Sequence, residues 1–414
     1  MATALEPLPD PRLRAGIISL HTSPLTQAGS GDSGGMNVYI REFVSSLTQA
    51  GVACDVFVRR WSDELDPIVE VEPGFRVIHV PAGPVDLTKE ELPGIVDEFT
   101  AWMRSWLSDN PVDVLHANYW LSGIVGHRLK HPLDLPLVTT FHTLARVKAE
   151  MGDDEPRSRI DAEAMVVACS DVLVANADEE RRQLLELYGA TNDQIEIVAP
   201  GVDRALFSPG SSKGARTAIR YEGGPLVLFV GRIQPLKGVD IAVEALSLLS
   251  DPTSTLMIVG GASGQEGDTE VHRIGDLVEG LGLSDRVIFV EPQPHYALST
   301  YYRAADVLVM PSRSESFGLV ALEAAACGVP VVAAAVGGLR TLVKDGLTGY
   351  LIDERDSAQY AAAIDRILLD PTHAAALGAA AAVQASRYPW SGLAARLRRI
   401  YLELVEARKL VDCN

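Results

Sequence analysis

Short runs of β-branched and aliphatic residues alternate in this chain with longer stretches of helical period, and the whole pattern occurs twice. This alternation is typical of parallel sheets whose strands are joined by helices. It predicts strands at 15–20, 53–58, 76–79, 112–115, 137–140, 172–175 and 195–198 in the first half, and at 226–230, 255–259, 287–290, 307–310, 329–333 and 349–351 in the second. The predicted fold is therefore α/β, with two doubly wound parallel-sheet domains.

A Gly/Ser/Pro stretch without periodicity, residues 207–214, separates the two halves and is typical of a linker. A chain of 414 residues also exceeds what one hydrophobic core usually organises. We predict a disordered tail at 1–14, an N-terminal domain at 15–205, a C-terminal domain at 206–388 and a final helical segment at 389–414. Pro389 marks the start of that last segment.

The net charge of −19 argues against nucleic acid and anionic membranes as partners. Apolar runs are too short for a membrane span, and the first residues lack the apolar region of a secretory signal. Cys54, Cys169, Cys327 and Cys413 are isolated and form no Cys-x-x-Cys pair. These features predict a cytoplasmic protein with reduced cysteines as small core residues and no membrane insertion.

Charged residues at the ends of predicted strands indicate a binding cleft, because ligands of such sheets bind outside the carboxyl ends of the strands. Arg232 and Lys237 follow strand 226–230 and suit a diphosphate leaving group. Glu315 and Glu323 are eight residues apart around the start of a predicted helix near Gly318. The apolar residues between them do not suit a solvated helix face, so both carboxylates are candidates for binding hydroxyl groups.

A glycine-rich turn follows the first strand, and a helix is expected from about Val38. Its residues 31–37 include Gly34, Gly35 and Asn37. Paired glycines before a helix N-terminus suit an anion such as phosphate, although an ordinary tight turn has the same pattern. A second turn, residues 259–264, has Ala262 where a dinucleotide-binding fingerprint requires glycine.

The two-glutamate segment and the Gly-Arg-x-x-x-x-Lys-Gly stretch at 231–238 resemble the retaining glycosyltransferases of family 4, which have the GT-B architecture of two facing Rossmann-like domains. The resemblance implies that the C-terminal helix crosses back to the N-terminal domain. It assigns Glu315 to the sugar hydroxyls, Glu323 to the ribose and Gln293 to the uracil. The implied donor-site set is Gly34, Gly35, Asn37, Arg232, Lys237, Gln293, Glu315, Ser316, Phe317, Gly318, Leu319 and Glu323, with Asn37 able to reach either substrate.

Segments 21–25, 34–37, 119–123 and 142–144 are similar to the members of that family that glycosylate D-inositol 3-phosphate. This resemblance implies an acceptor-phosphate site of Lys89, Tyr119, Thr143 and Arg159. It also implies the catalytic set His142, Arg232, Lys237 and Glu315. The chain departs from the family pattern at Asn118, where a second histidine is usual, and at Arg340, where a proline is usual.

The resemblance implies transfer of N-acetylglucosamine from UDP-GlcNAc to 1D-myo-inositol 3-phosphate, the first step of mycothiol biosynthesis, with retention at the anomeric carbon. No Asp-x-Asp motif or His/Cys/Asp ligand cluster is apparent in the sequence, so no metal is demanded, although Mg²⁺ is possible. A homodimer is expected. Three alternatives stay open: a sucrose-phosphate-synthase-like enzyme using another nucleotide sugar and another phosphorylated or polyol acceptor, a UDP-sugar epimerase, and a sugar-nucleotide sensor without turnover.

Overall fold

The computed structural model describes residues 13–27, 34–152, 154–262, 267–407 and 410–413. Its strands form two sheets, one in each half of the chain. The strands of the first sheet are β1 (Leu13–Ile18), β2 (Val52–Arg59), β3 (Ile68–Glu72), β4 (Phe75–Val80), β5 (Val114–Asn118), β6 (Leu137–Thr140), β7 (Val172–Ala175) and β8 (Ile195–Ile197). Those of the second are β9 (Leu226–Val230), β10 (Thr255–Val259), β11 (Val287–Val290), β12 (Val307–Met310), β13 (Val331–Ala334) and β14 (Gly349–Ile352).

Helices connect these strands and cover both faces of each sheet. In the N-terminal half they are α1 (Gly35–Gln49), α2 (Val96–Asp109), α3 (Trp120–Leu133), α4 (Ala145–Glu150), α5 (Arg157–Cys169) and α6 (Asp178–Tyr188). In the C-terminal half they are α7 (Ser212–Ala218), α8 (Val239–Ser247), α9 (Gly267–Gly280), α10 (Leu298–Ala304), α11 (Leu319–Ala326), α12 (Leu339–Leu342), α13 (Ser357–Leu368), α14 (Pro371–Ala385) and α15 (Trp390–Ala407).

The strand order identifies the edge of each sheet where a ligand can bind. The first sheet has the order β3-β4-β2-β1-β5-β6-β7-β8, and the second has the order β11-β10-β9-β12-β13-β14. All described pairings are parallel except that of β3 with β4. The order reverses beside β1 in one sheet and beside β9 in the other, so the crevices open outside the β1/β5 and β9/β12 ends.

The predicted fold of two doubly wound domains is confirmed, and most strand bounds agree within two residues. Strand β3 escaped prediction because it is a half-exposed edge strand paired antiparallel to β4. Strand β1 begins at Leu13, so Leu13 and Arg14 belong to the sheet and not to the predicted tail. Residues 1–12 of that tail lie outside the described part of the chain.

The C-terminal helix α15 packs against the N-terminal domain. Trp390, Leu397 and Tyr401 are buried in the same apolar cluster as Tyr39 and Phe43 of α1. The Tyr401 hydroxyl also lies 2.6 Å from Nδ1 of His116 in β5. The helix therefore crosses back over the first sheet, as the architecture implied.

The chain passes between the two domains twice, and the two connections touch. Val202 N donates to the Tyr388 carbonyl at 2.8 Å. A Cβ added at Gly201 would lie 2.4 Å from the backbone nitrogen of Trp390. The expected linker is shorter than predicted, because the Ser211 hydroxyl accepts from Gly214 N at 3.1 Å and caps helix α7.

The cysteine prediction needs a correction. Cys169, at the end of α5, forms a disulfide with Cys413, and their Cα atoms are 4.9 Å apart. All four cysteines were predicted to be buried free thiols, but only Cys54 and Cys327 are. Spacing along the chain could not show this pairing, because 244 residues separate the two cysteines.

Among the described helices, none combines the length and apolarity that crossing a bilayer requires.

Candidate functional site

The carboxyl ends of four central strands carry the principal charged or polar side chains of the cleft. His21 follows β1, Tyr119 follows β5, Arg232 follows β9 and Glu315 follows β12. These four strands flank the two points where the strand order reverses. Topology therefore places residues from both domains at one cleft.

Two non-glycine residues with positive φ shape the N-terminal wall of the cleft. Tyr119 has φ 77° directly after β5, and His142 has φ 63° two residues after β6. Such conformations are unfavourable for side chains other than glycine, and they concentrate at functional sites. Tyr119 N donates to the Thr140 carbonyl at 2.8 Å, which holds the first of these turns in place.

His21 lies at the centre of this wall. Its ring centroid is 4.3 Å from that of Tyr119, and its Nδ1 is buried without a hydrogen-bond partner among the described residues. Burial lowers the pKa of His21 well below its usual range, and the positive charges of Lys89, Arg159 and Arg232 lower it further. Cations of both domains thus lie near one neutral imidazole, whose Nδ1 has no hydrogen-bond partner in the described part of the chain.

Arg159 is held by a network that includes two of the predicted acceptor residues. Its guanidinium lies 5.2 Å from the Tyr119 ring centroid, and Nη2 donates to Thr143 Oγ1 at 3.1 Å. Nη1 donates to Glu155 at 2.8 Å, and Nε donates to Glu163 at 2.8 Å. The structure therefore brings Tyr119, Thr143 and Arg159 together.

Glu155 and Glu163 do not occupy all the N–H donors of the Arg159 guanidinium. A guanidinium has five N–H donors, and three of those of Arg159 have close protein acceptors. Burial raises the pKa of Glu163, although its contact with Arg159 opposes that effect. Arg159 can therefore donate to a phosphate with the remaining N–H groups, while its fork stays fixed by Glu155 and Glu163.

His142 is neutral and oriented by a residue that departs from the family pattern. Its Nε2 lies 2.9 Å from Asn118 Oδ1, which can only accept, so Nε2 carries the proton. Burial lowers the pKa of His142 to about 3. Asn118 thereby fixes the tautomer of His142 and leaves Nδ1 as an acceptor.

The first helix of the cleft begins three residues earlier than predicted, at Gly35 instead of Val38. Gly34 is its N-cap, and a Cβ there would lie 3.3 Å from Arg232 Nε of the other domain. Asn37 is buried. Its Oδ1 accepts from Gly34 N at 3.0 Å, and its Nδ2 donates to the Ser23 carbonyl at 2.7 Å. Asn37 thus holds the loop together, and the earlier residues of this turn, 28–33, lie outside the described part of the chain.

On the C-terminal wall, Lys237 and Glu315 form an ion pair. Lys237 Nζ donates to Glu315 Oε2 at 2.6 Å, and both side chains are partly exposed. The cation predicted for the diphosphate and the carboxylate predicted for the sugar are therefore neighbours. A ligand carrying both groups could contact the pair at once.

Glu323 lies inside α11, as predicted, and both of its carboxylate oxygens are hydrogen-bonded. Oε1 is 2.7 Å from Nε2 of His295, and Oε2 accepts from the Tyr302 hydroxyl at 2.7 Å. Burial alone would lower the pKa of His295, but the charge of Glu323 and its hydrogen bond outweigh burial and raise that pKa. Glu323 is therefore a rigid acceptor with one lone pair on each oxygen available to a ligand.

The segment between the two glutamates shapes the start of α11 and contacts the N-terminal domain across the cleft. Gly318 has φ 101° and caps α11, and Ser316 Oγ donates to the His142 carbonyl across the cleft. Leu319 lies 3.8 Å from the Cβ that Gly35 would carry. The Phe317 side chain is buried in the C-terminal core, so a contact of Phe317 with the donor would involve its backbone. Its ring instead anchors the turn.

Three predicted positions lie nearer the edges of this arrangement. Lys89 is exposed at the start of the 3-10 helix Lys89–Ile95, close enough to His21 to lower that pKa. Gln293 donates to the Glu291 carbonyl at 2.9 Å in the loop after β11. Arg340 pairs with exposed Asp353 at 2.9 Å and belongs to the surface.

Sequence reasoning missed His21, His295 and Tyr302 as parts of the site. His21 had a usable signal, since it follows the first central strand and lies within a segment that carried the resemblance. His295 follows Gln293 by two residues, but nothing local links it or Tyr302 to Glu323. The packing of α10 and of the 3-10 turn before it, His295–Ala297, against α11 makes those contacts.

Comparison with known proteins agrees with this geometry. Residues 33–206 match the family model described as Glycosyltransferase Family 4, and residues 196–384 match Glycosyl transferases group 1. A D-inositol 3-phosphate glycosyltransferase of Xylanimonas cellulosilytica is 45% identical over 95% of this chain and 98% of its own. Its counterpart in Acidothermus cellulolyticus is 46% identical over 96% of this chain and 91% of its own.

Two solved structures are similar in fold. Sucrose-phosphate synthase from Thermosynechococcus elongatus superimposes with a TM-score of 0.90 at 32% identity, covering 96% of this chain and 100% of its own. Anabaena HepE in complex with UDP and glucose superimposes with a TM-score of 0.76 at 20% identity, covering 95% of this chain and 100% of its own. The second likeness concerns the fold alone.

Proposed function

We propose a function for this chain from the premise that it belongs to the D-inositol 3-phosphate glycosyltransferases of glycosyltransferase family 4: it transfers N-acetylglucosamine from UDP-GlcNAc to 1D-myo-inositol 3-phosphate. In this reaction the glycosidic bond to UDP breaks and a bond to an inositol oxygen forms, with retention at the anomeric carbon. The names of the relatives give the acceptor, and the cleft supplies groups suited to both substrates.

The observation that carries the proposal is that cations from both walls lie around His21: Lys89, Arg159, whose guanidinium is 5.2 Å from the Tyr119 ring centroid, and Arg232, which lies beside Gly34. Two of these cations come from the acceptor wall, and one comes from the donor wall. A phosphate monoester and a diphosphate therefore find separate cations at one crevice, despite the net charge of −19. The neutral imidazole between them adds no competing charge.

The leaving UDP would be stabilised by fixed groups of both domains. Arg232 and Lys237 neutralise charge that develops on the diphosphate, and the N-terminus of α1 beside Arg232 adds backbone donors. Glu315 and Glu323 bind hydroxyl groups of the sugar and the ribose. No glutamate is required as a nucleophile, so we propose front-side displacement, in which the departing phosphate takes the acceptor's proton.

These cations can neutralise the diphosphate without a divalent ion, so we propose that transfer does not require Mg²⁺. Rates in the presence of EDTA should then equal those with added Mg²⁺ within about twofold. A loss of turnover in EDTA that Mg²⁺ restores would contradict this part of the proposal.

The decisive test is a substrate panel. The purified protein is incubated with UDP- and GDP-sugars, each with and without 1D-myo-inositol 3-phosphate, and both nucleotide release and glycoside products are measured. We expect UDP release only with the acceptor present, and an N-acetylglucosaminyl inositol phosphate with an α-linkage. A UDP-sugar of changed configuration formed without acceptor would favour an epimerase, and binding without turnover would favour a sensor.

The likeness to sucrose-phosphate synthase supports a second candidate, transfer to a phosphorylated hexose. Fructose 6-phosphate with UDP-glucose therefore belongs in the panel. If that pair alone gives product, the inositol assignment fails and only the family assignment survives. We also propose a homodimer, which light scattering after size exclusion would reveal as twice the mass of 44.4 kDa.

A further inference from the structure

A second group of reactive side chains lies away from the cleft, where the C-terminal tail contacts the N-terminal domain. His127 and His131 are four residues apart in α3, so they share one face of the helix. Cys169 ends α5, and Cys413 belongs to the tail. Tyr119 precedes the opposite end of α3, and His127 is about 10 Å further along the helix axis.

The tail reaches this place through a buried ion pair. Lys130 Nζ donates to Asp171 at 2.9 Å and to the Val411 carbonyl at 2.9 Å. Val411 N donates to the same Asp171 carboxylate at 2.6 Å. Two residues later, Cys413 is next to Cys169, so the position of its sulfur is set by these contacts as well as by the disulfide.

The donor atoms of this group are spaced like metal ligands. A ring nitrogen of His127 and the sulfurs of Cys169 and Cys413 all lie within 4.8 Å of one another. His131 Nε2 is 2.9 Å from the Cys413 sulfur. In a tetrahedral zinc site, ligand atoms are about 3.3–3.8 Å apart, so modest side-chain rotation would bring all four around one ion.

His127 provides a second observation at this place. Its Nδ1 is buried and has no hydrogen-bond partner among the described residues. A buried ring nitrogen without a partner is costly unless something binds it.

We propose that, once the disulfide is reduced, His127, His131, Cys169 and Cys413 bind one Zn²⁺ as a structural site that fastens the C-terminal tail to α3 and α5. Two thiolates and two imidazoles are a ligand set that zinc prefers, and the two thiolates balance its charge. The disulfide and the zinc site exclude each other, because both use the same two sulfurs.

In the exchange between the two forms, the disulfide takes up two electrons and two protons from a dithiol, which is oxidised to its own disulfide. Each cysteine then loses one proton as its sulfur binds Zn²⁺. In the oxidised form the sulfurs are bonded to each other, and the imidazoles alone hold the ion weakly.

The test uses the full chain and Co²⁺ as a spectroscopic substitute for zinc. The protein is reduced with a trialkylphosphine under nitrogen, desalted and titrated with Co²⁺. We expect one equivalent to bind, with the visible absorption of tetrahedral cobalt, the near-ultraviolet band of a thiolate ligand and displacement by Zn²⁺. Unreduced protein should show neither band.

Variants assign the ligands. Cys413→Ser and His127→Gln should each weaken Co²⁺ binding by about 100-fold or more. The matched controls Cys327→Ser and His272→Gln, both in the other domain, should leave the titration unchanged. Because Cys413 lies in the tail, its variant should fold normally, which circular dichroism will verify.

Several results would overturn the proposal. One is that reduced, desalted protein binds no cobalt or gives only the weak spectrum of octahedral cobalt. Equal binding by Cys413→Ser, or by the oxidised protein, would place the metal elsewhere. Zinc content measured by mass spectrometry gives the same decision without spectroscopy: one ion per reduced chain supports the site, and none opposes it.

Discussion

The pKa values of histidines on the two walls of the cleft are shifted in opposite directions. On the N-terminal wall, burial lowers the pKa values of His116 and His142 to about 3, and His21 is likewise held neutral. On the C-terminal wall, the Glu323 carboxylate raises the pKa of His295. Positive charge on the first wall is therefore left to Lys89 and Arg159, whereas on the second wall the pKa of His295 is raised by the carboxylate of Glu323, 2.7 Å from its Nε2.

This difference teaches how each wall is assembled. The donor wall pairs its charges at short range, as Lys237 with Glu315 and His295 with Glu323. The other wall places a neutral imidazole near Lys89 and Arg159, cations from two separate segments of the N-terminal domain. Changes on the donor wall should thus affect turnover, and changes on the acceptor wall should affect acceptor binding.

The largest effect is expected from Arg232→Ala. Removing a donor that stabilises the leaving diphosphate should lower kcat by about 100- to 1,000-fold, with little change in the acceptor KM. Steady-state kinetics with both substrates varied will measure this. Arg340→Ala, an exposed arginine of the same domain, is the control. An unchanged kcat would remove Arg232 from the diphosphate site.

Arg159→Lys should act on the acceptor wall. It keeps the charge but loses the fork, so the acceptor KM should rise by about 10- to 100-fold while the donor KM stays constant. Arg157→Ala, on the same helix but 91% exposed, should change neither constant. Equal effects on both KM values would contradict the phosphate role.

Gly201→Ala tests the connection between the two walls. Its Cβ would lie 2.4 Å from Trp390 N, so the two interdomain connections would have to move apart. We expect a loss of about 1–3 kcal/mol in the free energy of unfolding, measured by urea denaturation. Gly275→Ala, which has open space around it, should cause no loss. Equal stability of both variants would show that the hinge contact is dispensable.

The smallest effects are expected in the pH dependence of stability. The folded pKa of His116 is lowered, so its stabilisation is present above the unfolded pKa of about 6.5 and is lost as pH falls, by up to about 1.4 kcal/mol per unit. The folded pKa of His295 is raised, so its stabilisation is present below the unfolded pKa and is lost as pH rises through the folded pKa. Urea denaturation between pH 5 and 8 will measure both.

Substitution separates these two contributions. His116→Gln should flatten the acid side of the stability profile, and Glu323→Gln should flatten the alkaline side. If Glu323→Gln instead changed only the acid side, the proposed charge on His295 would be wrong. Thus the opposite behaviour of the two walls can be checked within one set of titrations.

Residues close together in the sequence could be predicted well, because strand ends and helix starts are local features. Six of the predicted strands have the bounds that the structure shows, and Glu315 and Glu323 lie before and within α11 as expected. Sequence also identified Arg232 and Lys237 at the end of β9. The start of α1 was placed too late, since glycine has low helix propensity. Gly34 is nevertheless the N-cap of this helix, and Gly35 is its first residue.

Only the tertiary structure decided the contacts between distant segments of the chain. The sequence by itself determined two parallel-sheet domains and placed Arg232, Lys237 and Glu315 after strands β9 and β12, because apolar runs and the residues that follow them are local features. It could not place His21 among the cations of both domains, bury Phe317 or bring Cys413 to Cys169. Those outcomes depend on which strands become neighbours and where the last helix crosses, and the free energy that selects them comes from burial across the whole fold.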